Sequence, residues 1–182
     1  MPEFPTLADL GADAAAPAQA PPLTSRSRQI LDWLGSEGYR CGLDDDGDIH
    51  LRHEGRDVYV LLDPDDLPYL RFLVPDVWRC DDDEERSLAL VVANSVNAEL
   101  KVLKLSLRRS LTVAASVELF LDGFEAFQKV APRCLDLLGT GAWEFRSRMR
   151  NAMQKAAVEE EAAIAALVED DPGCPDDVAG LP

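Results

Sequence analysis

The sequence lacks a long apolar run. The longest uninterrupted ones, LALVVA at residues 88–93 and AAIAALV at 162–168, are far shorter than the ~18 residues that a membrane-spanning helix requires. The first residues also lack the basic start and the apolar stretch of a secretory signal. We therefore expect a cytoplasmic protein with no membrane partner.

Positive charge is scarce, and both ends of the chain have none. Residues 1–25 hold three acidic side chains and residues 156–182 hold eight, without any Lys or Arg in either segment. These acids account for most of the formal net charge of −16. Nucleic acids and anionic membranes both bind proteins through many cationic contacts, so the composition argues against either as a partner.

Cysteine and histidine are few and scattered. The four cysteines include no Cys-x-x-Cys pair, which is typical of reduced cytosolic thiols rather than of a disulfide framework or a zinc site. His50 and His53 are three apart on a predicted strand and should point to opposite faces. No phosphate loop, dinucleotide fingerprint or nucleophile motif is present. We therefore expect no catalytic residue, no metal and no cofactor, and a protein that is not an enzyme.

Composition divides the chain into three parts. Residues 1–23 are rich in Ala and Pro and cannot bury enough apolar surface to offset the lost chain entropy, so we predict a disordered arm. Residues 24–168 predict a single α+β domain with a long C-terminal helix. Residues 169–182 predict an acidic disordered tail.

The apolar periodicity predicts the order of elements within the domain. A helix is predicted to end near Gly38, and four runs of alternating apolar and polar residues follow it between residues 39 and 74. Short polar segments separate these runs, and connections this short can join only antiparallel strands. A second helix should bury a stripe of Leu88, Val91, Val92 and Val96, and a strand hairpin follows it up to residue 119. The predicted fold is α+β, an antiparallel meander or sheet of about five or six strands with helices packed on it.

The C-terminal third predicts two helices. Pro132 lacks a backbone donor and should kink or break the first of them, and the segment GTG, residues 139–141, should end it. The last long helix is predicted over about 142–168, where Ala is frequent.

The segment DDDGD, residues 44–48, suggests either a calcium loop or a tight turn. If Gly47 took the sixth position of an EF-hand loop, Gly42 and His53 would occupy the first and twelfth positions, where oxygen ligands are required. The flanking residues alternate as strands do. We therefore predict a two-residue hairpin turn at Asp46 and Gly47, both with positive φ.

One short segment concentrates positive charge. Lys101, Lys104, Arg108 and Arg109 are predicted to lie on and beside one strand of the second hairpin. They form either a solvated outer face with a polar hairpin tip, or an anchor for an acidic partner or for the acidic tail of this chain.

Two stretches resemble the YbjN family, whose members are labelled bacterial sensory transduction regulators. They are ILDWLGSEGYRCGLDDDGDIHLRHEGRDVYVLLD and VVANSVNAELKVLKLSL, within about residues 25–150. Family members tend to carry an Asn-rich helix end that leads directly into a strand, and Asn94 and Asn97 stand in those places. The resemblance implies a fold similar to type III secretion chaperones, which are small, acidic, usually dimeric and non-catalytic.

These observations lead to three hypotheses about function. The first is a non-enzymatic cytoplasmic protein-interaction module, YbjN-like and able to form a homodimer, with its contact surface on apolar patches of the sheet or of the second helix. The second is a type III secretion chaperone that binds an extended segment of an effector. The third is an enzyme of unknown chemistry.

Overall fold

The computed structural model describes residues 25–169, with side chains described through residue 162. The predicted arm at 1–23 lies outside the described residues, and so does the predicted tail at 169–182 except for its first residue, Glu169, which ends a helix. The described elements follow one another in the order α1 (Ser25–Ser36), β1 (Cys41–Leu43), β2 (Ile49–His53), β3 (Arg56–Leu62), β4 (Tyr69–Arg79), α2 (Asp83–Glu99), β5 (Leu103–Leu107), β6 (Thr112–Phe120) and α3 (Phe124–Glu169).

The six strands form one antiparallel sheet, as predicted. Their spatial order is β1-β2-β3-β4-β6-β5, so β6 lies in the interior of the sheet and β5 lies at its edge. The meander of β1 to β4 forms because each connection is short. The helix α2 then carries the chain across the sheet, and the β5–β6 hairpin pairs with β4 through β6.

One face of the sheet and all three helices share a single core. Because strand side chains alternate, the residues predicted to be apolar and inward all point to one face, for example Val58 and Val60 in β3 and Leu70 and Phe72 in β4. They are buried in one cluster with side chains of α1, α2 and α3. This face is called the inner face below, and the opposite one is the outer face.

The Asp46–Gly47 turn differs from the predicted two-residue turn. The amide of Asp44 bonds to the carbonyl of Asp48, and the amide of Gly47 bonds to the carbonyl of Asp44, which leaves three residues in the loop. Gly47 has a φ of +85°, whereas Asp46 is not among the residues with positive φ. Such a loop joins a type I turn to one left-handed residue. The Asp44 carboxylate also accepts bonds from the amides of Asp46 and Asp48.

The two-residue turn with two positive φ values occurs between β2 and β3 instead. His53 pairs with Arg56, and the residues between them, Glu54 and Gly55, have φ values of +48° and +78°. This turn geometry requires the two residues that flank the turn to face each other as a pair across the two strands. Strand register therefore decides which of the two connections forms the two-residue turn. The amino-acid composition around a turn does not reveal that register.

The two predicted C-terminal helices are one continuous helix. The helix α3 spans 46 residues, includes Pro132, and runs through Gly139 and Gly141 without ending. Its buried stripe rests on the inner face of the sheet, and this packing outweighs the backbone bond that Pro132 cannot make. Of the two alternatives predicted at Pro132, a kink or a break, the break is therefore wrong, and so is the predicted helix end at residues 139–141.

The buried stripe of α2 also differs from the prediction. Val92 and Val96 are buried as expected, but Val91 is 68% exposed and Leu88 is only half-buried. The small side chains Ala89 and Ala93 face the sheet instead. They let the helix lie close to the strands, and this turns Val91 toward solvent.

Candidate interaction surface

Charged side chains form a network on the outer face of the sheet. Lys104 Nζ donates to Glu118 Oε2 at 2.6 Å, and Arg71 Nε lies 3.5 Å from Glu118 Oε1. Ser116 Oγ donates to the same carboxylate. The hydrogen bond from Lys104 lowers the pKa of Glu118 below its ordinary value, against the effect of burial, which raises it.

The lowered pKa of Glu118 predicts a pH-dependent contribution to stability. A carboxyl group with a depressed folded-state pKa stabilises the fold above its unfolded pKa of about 4.3, and this contribution is lost as pH falls through the folded value. Glu118→Gln should therefore lower the free energy of unfolding at neutral pH, and its difference from the unmodified protein should shrink in acid. Urea unfolding across this range measures the difference. A constant difference at every pH would contradict the prediction.

An apolar corner lies at one end of the outer face, formed by Leu67, Tyr69 and Phe120. Tyr69 pairs with Phe120 across β4 and β6, and their ring centroids are 5.7 Å apart. Phe120 is 73% exposed and Leu67 is 67% exposed. Among the large apolar side chains that the structure describes in full, no exposed fraction is larger than that of Phe120. A largely exposed aromatic ring beside a half-buried one is typical of a contact surface.

A groove continues from the apolar corner toward α1. Its volume is about 410 Å³, and Leu67, Ile30 and Phe124 contribute apolar walls while Arg26 and Asp122 contribute charge. Arg26 donates to the carbonyl of Leu67, which ties the start of α1 to the β3–β4 loop. Leu67 belongs to both the corner and the groove.

Our sequence prediction missed Phe120, although the pattern contained a signal for it. Along β6 the even-numbered positions are Thr112, Ala114, Ser116 and Glu118, which are small or polar, and Phe120 follows in the same register. An aromatic residue at an outward position breaks the alternation. The pairing with Tyr69 could not be predicted, because β6 joins β4 only through the tertiary fold.

The four predicted basic residues follow the edge of the sheet. Lys101 precedes β5, Lys104 lies within it, and Arg108 and Arg109 occupy the turn after it. Lys101 and Arg109 are thus at opposite ends of the edge strand, and Lys104 is paired with Glu118. Their role as an anchor for an acidic partner stays a prediction.

Asn97 binds the edge strand directly. Its amide group donates to the Leu105 carbonyl at 3.1 Å, and its carbonyl oxygen accepts from the Leu105 amide at 2.7 Å. The Asn97 side chain thus replaces one residue of a neighbouring strand on β5, which protects an edge that would otherwise pair with other chains. Asn94 lies one turn earlier on α2 and is exposed.

The other polar candidates lie apart from the apolar corner. His50 Nε2 lies 2.9 Å from Asp57 Oδ1, whereas His53 Nε2 lies 4.0 Å from Asp136 Oδ1, so the two histidines point to opposite faces as predicted. Within residues 25–162, no group of three or more His, Cys, Asp or Glu side chains is placed to hold a metal ion.

The three described cysteines are free thiols at separate places in the fold. Cys80 and Cys134 are buried, Cys41 is half-buried, and Cys174 lies outside the described residues. Burial raises the pKa of all three, and that of Cys134 reaches about 11. At neutral pH these groups are therefore protonated, and a protonated thiol is a weak nucleophile and a weak metal ligand.

Comparison with known proteins identifies the fold. No family model matches the sequence, and no curated protein matches it either. Among solved structures, the chain is similar to YbjN from E. coli, described as "a putative transcription regulator", with a TM-score of 0.51 and 16% sequence identity. The similarity covers 65% of this chain and 89% of YbjN. None of the helices described is long and apolar enough to cross a membrane. The six-stranded antiparallel sheet with three helices packed on it is therefore a YbjN-like α+β fold.

Proposed function

We propose that this protein is a non-enzymatic, cytoplasmic protein-interaction module that binds its partner through the apolar corner. The observation that supports the proposal is the exposure of Phe120 and Leu67 beside the half-buried Tyr69. Single exposed apolar residues are common on proteins, but three that adjoin one another and a groove are not. Aromatic side chains of this kind contribute most of the binding energy in many interfaces.

The surroundings of the corner suit a protein partner. Arg71 and Glu118 lie on the two strands that carry Tyr69 and Phe120, two residues away on the same outer face. An apolar centre with a charged rim is the usual anatomy of a protein interface. The partner is expected to insert an apolar side chain between Leu67 and Phe120 and to place polar groups over the Arg71–Glu118 pair.

The groove beside the corner supports the second candidate function, binding of an extended segment as a type III secretion chaperone does. A groove of about 410 Å³ that continues from the corner can hold several residues of an extended chain. A homodimer through the corner is a third arrangement of the same surface. The name given to YbjN suggests a regulatory role, which this chain would exert through protein contacts because its net charge of −16 disfavours DNA.

The proposal predicts that Phe120→Ala abolishes partner capture while leaving the fold intact. Phe120 is mostly exposed, so its removal should change the free energy of unfolding by less than about 1 kcal/mol. Affinity purification from the native cell, followed by mass spectrometry, measures capture, and size-exclusion chromatography with light scattering measures self-association. Val91→Ala is the matched control, because Val91 is 68% exposed on α2, away from the corner.

The results for Phe120→Ala distinguish the interaction module, the chaperone and the homodimer. Loss of a captured protein in Phe120→Ala but not in Val91→Ala supports the interaction module, and capture of an unfolded segment favours the chaperone. Loss of a dimer in the same variant supports self-association. A strict monomer that captures nothing through this surface would refute the proposal.

A further inference from the structure

The apolar stripe of α3 continues beyond the residues that the core buries. Ala142, Phe145 and Met149 are fully buried against the core. One turn further along the same stripe, Met153 is 40% exposed, although it follows Met149 at the spacing that keeps both on one face of the helix. Apolar side chains therefore lie on this face of α3 beyond the part that the core covers.

A second groove forms where this part of α3 passes α2. Its volume is about 440 Å³, and its floor consists of Leu88 from α2 with Met153, Ala156 and Ala157 from α3. The remaining lining residues are all acidic, and no Lys or Arg is among them: Asp81, Asp82, Glu84, Glu85 and Glu160. This surface is called the acid-rimmed groove below.

Two of the five carboxylates are used within the fold. The Asp82 carboxylate accepts the amide of Glu85 at 2.8 Å. The Glu85 carboxylate accepts the indole N–H of Trp78 at 2.6 Å and the amide of Asp81 at 2.7 Å. The carboxylates of Asp81, Glu84 and Glu160 are exposed and form no ion pair with a described residue. They are available to a partner.

We propose that the acid-rimmed groove binds a cationic amphipathic segment of another protein. The apolar side chains of that segment would cover Met153 and Leu88, and its Lys or Arg side chains would lie among the three exposed carboxylates. The parts of this chain outside the described range, 1–24 and 170–182, contain acids and no Lys or Arg, so they are repelled. A second copy carries the same net charge of −16 and is disfavoured for the same reason.

The groove is independent of the apolar corner. It lies between α2 and α3, and it shares no lining residue with the corner or with the groove beside α1. A partner that inserts an apolar side chain at Phe120 and a partner that brings cations to Glu84 have different chemistry. Either proposal can therefore fail without the other.

The test measures binding of a fluorescein-labelled model peptide, built from Leu and Lys at helical spacing, by fluorescence anisotropy with the full-length protein. Met153→Gln should weaken binding by about tenfold, because it places a polar amide on the apolar floor without adding a carboxylate that would attract the peptide. Val158→Gln is the matched control on the same helix, because Val158 is 59% exposed and does not line the groove. It should leave the affinity unchanged.

Two triple variants of equal net charge test the carboxylates at the rim of the groove. Asp81→Asn with Glu84→Gln and Glu160→Gln should weaken binding by about tenfold and reduce its salt dependence. Asp32→Asn with Asp45→Asn and Asp65→Asn removes the same charge elsewhere and should have little effect. Equal weakening by both triple variants would mean that net charge alone attracts the peptide, and would overturn the proposal. Binding that is indifferent to Met153→Gln would also overturn it, provided that circular dichroism shows a folded variant.

Discussion

Asn97→Ala is expected to lower the free energy of unfolding by about 2–4 kcal/mol, because it leaves two backbone groups without partners. The Asn97 amide now satisfies both the N–H and the C=O of Leu105, and the side chain is half-buried between α2 and β5. An alanine at this position makes neither bond. Chemical denaturation followed by circular dichroism measures the loss.

Two further variants make this prediction specific. Asn97→Asp keeps the acceptor for the Leu105 amide but turns a second carboxylate oxygen toward the Leu105 carbonyl, so it should destabilise the fold as Asn97→Ala does. Asn94→Ala removes an exposed asparagine from the preceding turn and should change stability by less than about 0.5 kcal/mol. Equal effects of Asn94→Ala and Asn97→Ala would show that the edge contact has no special role.

Asn97→Ala should also change the association behaviour of the protein. With the amide removed, Leu105 presents a free donor and a free acceptor on an edge strand, which is the usual template for pairing with another chain. Light scattering at rising protein concentration is expected to detect oligomers in this variant. The light scattering is to be measured under conditions in which the variant is folded, since unfolded chains also associate.

Gly141→Ala is expected to lower the free energy of unfolding by about 1–3 kcal/mol, although alanine ordinarily stabilises a helix. A Cβ atom at residue 141 would lie 3.0 Å from Cδ1 of Leu103 and closer still to Cδ2. Leu103 begins β5 and is only 6% exposed, so it cannot move away freely. The helix and the sheet must separate to admit the methyl group.

Gly139→Ala is the control for this prediction, two residues earlier on α3. Its Cβ would meet Glu54 Oε2 at 3.0 Å, at the flexible end of a side chain that is 60% exposed and is held, among the described residues, only by Arg56 Nη1 at 3.3 Å. The change should stabilise the helix by up to about 1 kcal/mol. Thermal unfolding of both variants measures opposite shifts in Tm. A rise in both would mean that α3 does not pack on Leu103 through Gly141.

The alternation of apolar residues was sufficient to predict the sheet. Ile49 and Leu51 in one predicted strand, and Val117 and Leu119 in another, are alternate apolar positions of the sequence, and all of them contribute to the core or pack against it. Alternation is local, because a strand with one buried face must place every second side chain inward. The antiparallel arrangement also followed from short connections, since parallel strands require long crossovers.

The turns and the long helix could not be predicted in the same way. Asp46-Gly47 and Glu54-Gly55 are both followed by strands, and only the register with which β2 meets its two neighbours decides which of them holds the two-residue turn. Gly139 and Gly141 suggested the end of a helix, but Gly141 marks close contact with Leu103. Glycine brings the same backbone freedom to a helix end and to a close contact between a helix and a strand. Only the residues packed against it in the fold distinguish the two cases.

The candidate surfaces were harder to predict than the core. The basic residues at 101–109 formed the densest cluster of positive charge along the chain, but they spread along an edge strand once β5 is placed. The apolar corner joins residues about 50 positions apart, and the acid-rimmed groove joins α2 to α3. Sequence proximity detects neither surface, because each exists only where distant elements meet.

The sequence by itself determined the class of fold, the inward face of each strand, and an acidic chain with little to attract phosphate. These properties depend on periodicity and composition, which act over a few residues or over the whole chain. Tertiary structure decided which turn closes which hairpin, that α3 is one helix, and that Phe120 meets Tyr69. Those outcomes depend on packing between elements far apart in the chain, where the burial of a shared face outweighs local preference.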